Sequence, residues 1–279
     1  MKKTVLITGT SSGFGKATTR YFARHKWNVV ATMRNPAAEK ELNTLPDVLV
    51  TRLDVLDKHG IKEAINAGIA KFGRIDAVIN NAGFGLFGLF EGTPPEKIKE
   101  QFDVNVFGVM NVTRAILPHF REHKSGMIIN ISSGAGVFTL PMQSLYCASK
   151  FALEGFSESL AYELASQNIQ VKIIEPGGVI TTNFGERSAQ ESLYNLPVED
   201  YNEFMMATNE IFVGLRAARL AKEEDVAQFI FASATDGTNR LRYVATPDIA
   251  PMVKARRETS EDQYIAEMRT RFPGKKSAS

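Results

Sequence analysis

Thr4-Val5-Leu6-Ile7-Thr8-Gly9-Thr10-Ser11-Ser12-Gly13-Phe14-Gly15 is the stretch from which the fold can be read. An apolar run of strand length, Val5 to Ile7, gives way to a glycine-rich turn, and a helical pattern follows. Phe14, Ala17, Thr18, Tyr21 and Phe22 recur at the spacing of one helix face. Glycines at such a turn let the backbone bend tightly and approach a pyrophosphate, while the helix N-terminus adds N–H donors and a positive dipole end. In the strand-to-helix position of a first βαβ unit, this turn predicts a dinucleotide site.

Working outward, six more apolar runs follow: Val29–Ala31, Val48–Val50, Ala77–Ile79, Met127–Ile129, Val171–Ile174 and Leu241–Ala245. Helical patterns separate them, among them Ile61, Ala64, Ile65, Gly68, Ile69 and Phe72. Thr93-Pro94-Pro95-Glu96 reads as a helix start, with Thr93 as cap and Glu96 closing a capping box. Phe102, Val106, Val109, Met110, Thr113, Leu117 and Phe120 continue one long helix, and Leu153, Phe156, Leu160 and Leu164 stripe another. Strands apolar on both faces and joined by helices imply a parallel sheet covered on both sides. The expected class is α/β, a single doubly wound, Rossmann-type domain with a seven-stranded parallel sheet. Residues 183–220 fit the alternation poorly and are a candidate substrate lid, because this architecture binds ligands beyond the carboxyl ends of its strands. Residues 247–279 form a C-terminal extension.

Composition removes several function classes. The 279 residues are 44% hydrophobic and 23% charged with a net charge of +2, so neither long disorder nor a basic nucleic-acid face is expected. One cysteine excludes a disulfide framework and a multi-cysteine metal site, and no metal is expected. The charged start Met1-Lys2-Lys3 precedes too short an apolar run for a signal peptide, and no run of about 18 apolar residues exists. The expectation is a cytoplasmic protein without an integral membrane segment.

Gly9-Thr10-Ser11-Ser12-Gly13 also matches a nucleophile-elbow pattern, which needs a histidine late in the chain. The four histidines are His25, His59, His119 and His123, so a triad in that order would have to end by mid-chain, which disfavours it. The second strand ends Ala31-Thr32-Met33-Arg34-Asn35, where a site for NAD would place an acid on the adenosine ribose. Arg34 can instead grip the 2′-phosphate of NADP with charge-assisted hydrogen bonds, so NADP(H) is favoured over NAD(H). Tyr146 and Lys150 share a helix face, and Ser133 follows the fifth strand. An ammonium a few ångströms from a phenol favours phenolate, an effect sized to lower the tyrosine by roughly 2 to 3 units.

Gly9-x3-Gly13-x-Gly15, Asn80-Asn81-Ala82-Gly83, Asn105, Ser133, Tyr146-x3-Lys150 and Pro176-Gly177 stand in one order. In that order the chain resembles the classical short-chain dehydrogenases/reductases over about residues 3–247. The wording around Asn81 to Gly85 is most similar to the 17β-hydroxysteroid and retinol dehydrogenase-like branch. The resemblance implies Tyr146 as acid/base, Ser133 holding the substrate oxygen, Lys150 tuning the tyrosine and binding the nicotinamide ribose, and Asn105 holding a relay water. It implies phosphate contacts from Gly9, Ser12, Gly13, Phe14 and Gly15, adenine contacts from Asp54 and Val55, and ribose-side contacts from Asn81, Ala82 and Gly83. Pro176, Gly177, Val179 and Thr181 would meet the nicotinamide. One departure is that Thr10, Ser11 and Ser12 supply no basic residue, although many relatives that use NADP carry one in this turn. A homodimer or homotetramer is implied by the family alone.

The leading expectation is an NADP(H)-dependent oxidoreductase interconverting an alcohol and its carbonyl. The alternative is a protein on this fold that binds NADP(H) or a ligand and turns nothing over; the intact Ser–Tyr–Lys set favours the enzyme. Phe84, Phe87, Phe90 and the lid residues Phe184, Tyr194, Tyr201, Phe204, Met205, Met206, Ile211 and Phe212 predict a pocket for a lipophilic substrate. Val137, Leu140, Met142 and Leu145 add apolar surface beside the chemistry. Cys147 is assigned no role. The glycosylation patterns at Asn111 and Asn130 fall in a helix and a strand and are discounted.

Overall fold

A computed structural model describes residues 2–179, 184–217 and 221–273. The seven apolar runs are the seven strands of one sheet: β1 (Thr4–Thr8), β2 (Asn28–Met33), β3 (Val48–Arg52), β4 (Ala77–Asn80), β5 (Gly126–Ile131), β6 (Ile169–Glu175) and β7 (Arg242–Val244). Their order is β3-β2-β1-β4-β5-β6-β7 and every neighbouring pair is parallel, with Thr4 opposite Asn28 and Ala77 opposite Met127. This is the doubly wound, Rossmann-type α/β architecture.

Alternation along the strands divides the core. Val5, Ile7, Val29, Ala31, Ile79 and Ile129 pack on one face with Phe22 of α1 (Gly13–Arg24) and Ile230 of α8 (Glu223–Thr235). Leu6, Val30, Val78, Ile128 and Val171 pack on the other. That second face meets α2 (Lys58–Phe72), α4 (Val109–Glu122) and α5 (Ser144–Ala165) through Ile61, Ile116 and Leu160. A polar seam crosses it: Asn80 Nδ2 donates to Asn130 Oδ1 at 2.8 Å, and Asn130 Nδ2 donates to Ser157 Oγ at 2.8 Å. The buried Asn130 is thus a strut between strands and α5, and Asn111 donates to the Val55 carbonyl at 3.1 Å.

Two sequence expectations change. The helix before β5 starts at α3 (Pro95–Phe102) with Pro94 at the N-cap, and Thr93 instead donates to the Leu89 carbonyl. Two consecutive prolines fix the entry by their φ, so no side-chain cap is needed there. The long helix is also not uniform. Asp103–Gly108 forms a π-helical segment between α3 and α4, and it presents Asn105 inward, 1% exposed.

The candidate lid is helical within its described part, as α6 (Phe184–Ser192) and α7 (Asn202–Ala217). The extension folds as α9 (Ala250–Glu258) and α10 (Glu261–Arg271). Ile249, Met252, Val253 and Tyr264 pack there against Val137 and Phe138, just past Ser133. Ile249 is 5% exposed, so Ile249→Ala should cost about 2–5 kcal/mol, read as a lowered urea midpoint at unchanged slope. A midpoint equal to that of the unmodified protein would show that the extension is not integral to the core.

Candidate active site

Thr8 ends β1, and its hydroxyl accepts the backbone N–H groups of Asn81 and Ala82 just past β4, each at 3.0 Å. Asn81 returns the contact, donating Nδ2 to the carbonyls of Thr8 (2.9 Å) and Gly9 (3.0 Å). Gly9 and Gly13 have φ of +72° and +54°, the left-handed region that favours glycine. A β-carbon at Gly15 would fall within contact distance of the Gly9 carbonyl oxygen and 2.5 Å from Asn81 Nδ2. The turn is packed to its limit on the Asn81 side. Gly9, Ser12, Gly13 and Phe14 line a cleft of about 1310 Å³. Ser12 at the N-cap of α1 makes no capping hydrogen bond, so first-turn N–H groups are left for an anion. These residues fit a dinucleotide phosphate.

The same cleft takes in Arg34, Asp54, Val55, Asn81, Ala82, Gly83, Pro176, Gly177 and Val179. Arg34 is exposed. Asp54 accepts the Leu56 N–H at 3.0 Å, and Val55 is buried. Thr181 lies outside the described residues. Gly177 donates its N–H to Thr246 Oγ1 at 2.8 Å, and Gly178 donates to Asp248 at 3.2 Å. The extension therefore shapes the strand end on which a nicotinamide would rest.

Ser133, Tyr146 and Lys150 converge at the inner end. Ser133 Oγ accepts the Ala135 N–H at 3.1 Å and faces the Tyr146 hydroxyl, where it favours the phenolate. The Tyr146 ring stands between Phe87 (6.0 Å between centroids) and Phe184 (5.6 Å). Burial pushes the phenol up to about 12, with the neighbouring Ser133 hydroxyl opposing it. Lys150 Nζ donates to the Ile131 carbonyl at 2.9 Å and lies 5.8 Å from the tyrosine ring centroid. Burial lowers the lysine to about 8, Glu154 opposing. The lowered phenol expected from the i, i+4 spacing is absent from the protein alone, because desolvation outweighs an ammonium that is turned to a backbone carbonyl.

The Asn105 side chain is fully engaged within the fold. Its Nδ2 donates to the Phe84 carbonyl (2.9 Å) and Ser149 Oγ (3.2 Å), while its Oδ1 accepts the Phe84 N–H (3.1 Å). It pins the loop after β4 to the helix that carries Tyr146, since Ser149 in turn donates to the Tyr146 carbonyl.

Among the apolar residues expected around the substrate, Phe84, Phe87, Leu140, Met142, Phe184, Met205 and Phe212 line the cleft. Tyr194 and Met206 do not; they are 58% and 68% exposed. Tyr194 sits over Lys97, 4.1 Å from its ammonium, and Val137 packs under the extension. Phe138, Ile249 and Met252 line the cleft without having been singled out in the sequence. Two of the three belong to the extension.

A model of the short chain dehydrogenase family matches residues 3–192. The chain belongs to the short-chain dehydrogenase/reductase family. It is 36% identical over 267 residues to retinol dehydrogenase 8 of Bos taurus, covering 90% of this chain and 84% of that protein. It is 39% identical over 187 residues to 3-ketodihydrosphingosine reductase of Bacteroides thetaiotaomicron, covering 67% and 68%. Two solved structures with TM-scores of 0.71 are also similar. ElxO with NADP bound is 28% identical, covering 88% of this chain and 96% of that one. A 3-ketoacyl-(acyl-carrier-protein) reductase of Brucella melitensis with NADH is 27% identical, covering 88% and 95%.

As a short-chain dehydrogenase/reductase the protein is an oxidoreductase of the CH–OH/carbonyl class with a nicotinamide cofactor. Among the described residues, no helix is long and apolar enough to cross a membrane. Behind the family's Tyr–Lys pair the structure adds charges that no motif signalled. Glu154, one turn after Lys150, accepts from Arg242 Nε at 2.9 Å, and the fully buried Glu175 accepts from Arg257 of α9 at 2.5 Å. Their only sequence sign is an acid at a helix position and a strand end that otherwise read as apolar.

The depressed lysine generates a stability test. Lys150 keeps its proton to about pH 8 when folded and to 10.5 when unfolded. Between those values the unfolded chain binds more protons, so stability rises with pH there, and the full penalty of about 3 kcal/mol applies below pH 8. Lys150→Met also gives up the hydrogen bond to Ile131, worth about 1 kcal/mol. It should therefore be more stable by about 2 kcal/mol at pH 7 in urea, the gain fading by pH 10.5. Destabilisation at pH 7 would show that the ammonium is not paying a desolvation penalty.

Proposed function

We propose that the protein is an NADP(H)-dependent oxidoreductase that interconverts a lipophilic alcohol and its carbonyl, with Tyr146 as proton donor and acceptor. The observation that carries this is one cleft lined by Arg34 among its cofactor-end residues and by Ser133, Tyr146 and Lys150 beside Phe87, Leu140 and Phe184. The nicotinamide, when bound, supplies or takes up the hydride. Ser133 holds the substrate oxygen, and Tyr146 gives that oxygen its proton in reduction or removes it in oxidation. Lys150 is placed to turn from the Ile131 carbonyl toward the cofactor ribose and to favour the phenolate during proton transfer. Asn105 positions the loop after β4 and would hold the water that continues the proton relay. Gly9, Ser12, Gly13, Phe14 and Gly15 would take the phosphates, Asp54 and Val55 the adenine side, and Asn81, Ala82 and Gly83 the ribose side. Pro176, Gly177, Val179 and Thr181 would take the nicotinamide.

In this reading residues 1–279 are one domain, 183–220 is the substrate lid, and 247–279 completes the cleft. A cytoplasmic homodimer or homotetramer is what the family implies. The lipophilic substrate is favoured by Phe87, Leu140, Met205 and Met252 in the cleft and by the named activities of the retinol and 3-ketodihydrosphingosine relatives.

Two measurements test it. NADPH oxidation at 340 nm across a series of apolar ketones should rise about fourfold in kcat/KM per added methylene until the cleft fills, at about 0.8 kcal/mol each. Tyr146→Phe should lower turnover at least about 100-fold while leaving NADPH affinity unchanged. Near-normal turnover would sink the mechanism, a preference for sugars or hydroxy acids would sink the substrate class, and cofactor binding without turnover of any carbonyl would favour a sensing protein. For the cofactor, Arg34→Ala should raise the NADPH Kd roughly 10- to 150-fold and barely move that of NADH. Equal weakening of both, or NADH preference in the unmodified protein, would remove the NADP assignment.

A further inference from the structure

The glycine turn carries no cation, yet besides Arg34 and Arg216 of α7 a further guanidinium lines the cleft. It belongs to Arg187, in the middle of α6. The guanidinium lies over the Phe84 ring, 4.4 Å from its centroid. That ring is a fixed shelf, because Asn105 holds the Phe84 N–H and carbonyl and Gln101 Nε2 also donates to that carbonyl. Charge compensation for Arg187 is incomplete. Glu191 approaches only to 3.9 Å, and its other oxygen already accepts from Lys97 at 2.8 Å. Burial and the repulsion of Arg34 hold the Arg187 guanidinium below its ordinary pKa, with Glu191 and Glu100 opposing.

Two cations that repel across a cleft lined by the glycine turn are stabilised by an anion entering between them, the more so where water is partly excluded. We infer that Arg187, carried by the lid and stacked on Phe84, binds a phosphate of the nicotinamide cofactor together with Arg34. The inference deepens the proposed function and rests on its cofactor reading. It gives the lid a task in cofactor capture besides any contact with substrate, and it supplies from α6 the second cation missing from Thr10–Ser12. The shared chemistry is a phosphate oxyanion, and two groups offer it: the pyrophosphate common to both cofactors and the 2′-phosphate found only on NADPH.

The test is calorimetric binding of NADPH and of NADH, without substrate, at two ionic strengths. Arg187→Met keeps the apolar stem over Phe84 and removes the charge, whereas Arg187→Lys keeps the charge. The Met variant should raise the NADPH Kd by about 10-fold or more and make binding less dependent on salt. The Lys variant should lose less and keep the salt dependence. A parallel loss for NADH assigns the contact to the pyrophosphate, and NADH binding left intact assigns it to the 2′-phosphate. A change under about threefold for both cofactors overturns the clamp, as does equal loss in both variants at unchanged salt dependence. An unmodified protein that binds neither cofactor would instead overturn the cofactor reading itself, whereas tight binding indifferent to Arg187 would remove only the clamp.

Discussion

Everything at the carboxyl edge of the sheet depends on how closely the turn after β1 is pressed against the end of β4. Thr8 and Gly9 accept four hydrogen bonds from Asn81 and Ala82 across that contact, and Gly9 and Gly15 are the residues that allow it. β1 and β4 are neighbours in the sheet although about 70 residues apart, so the chain departs in opposite directions on either side of them. That divergence opens the cleft, and the close contact fixes its floor. The first turn of α1 thereby lines the same cleft as Ser133 and Tyr146, and a ligand lying along the floor can reach both.

A second constraint opposes the first. The inner end of the cleft is dry enough to push a phenol up and an ammonium down, which costs the protein alone some of its stability. The neighbouring acids limit that cost. Glu154 lies one turn from Lys150 and favours its charged form, and it is itself held by Arg242. Glu175 would be an unpaired charge in the core without Arg242 and Arg257. Arg257 comes from α9, so the extension neutralises the buried strand end that leads into Pro176 and Gly177. The tail after β7 is thus structurally continuous with the chemistry, through charge as well as through Ile249 and Met252.

These two constraints also explain what could and could not be read from the sequence. All seven strands were legible because a parallel sheet buried on both faces needs unbroken apolar runs, and none of them competes with a helical period. Tyr146, Lys150 and the glycine turn were legible because their geometry is local, fixed by one helix turn or one strand-to-helix corner. The tyrosine environment was not, since the spacing of Tyr146 and Lys150 says nothing of how deep α5 sits or that Ile131 would attract the ammonium. Thr93 was misplaced as a cap by one residue because Pro94 alone satisfies the helix entry. The inward turn of Asn105 requires the π-helical segment, which no propensity marks. For α7, apolar residues surround much of the helix, so periodicity left open that Met205 would face the cleft and Met206 the solvent.

The division of labour among segments follows. The groups proposed to hold a phosphate or move a proton sit on strand ends and the first turns of α1 and α5, where packing leaves them little freedom. The walls expected to meet the substrate come instead from the loop after β4, the loop before α5, the lid and the extension: Phe87, Leu140, Met205 and Met252. Methionine side chains adapt their shape at low cost, so two of these four walls can follow a flexible chain or a flat ring system. A polar substrate would have to leave its hydrogen bonds to water at such walls without replacement, at about 1–3 kcal/mol per group. An apolar substrate loses nothing there and keeps its one polar atom for Ser133 and Tyr146. On the proposed reading, specificity would be exclusion by apolar surface around two hydroxyl groups, built by segments that the chemistry itself does not constrain.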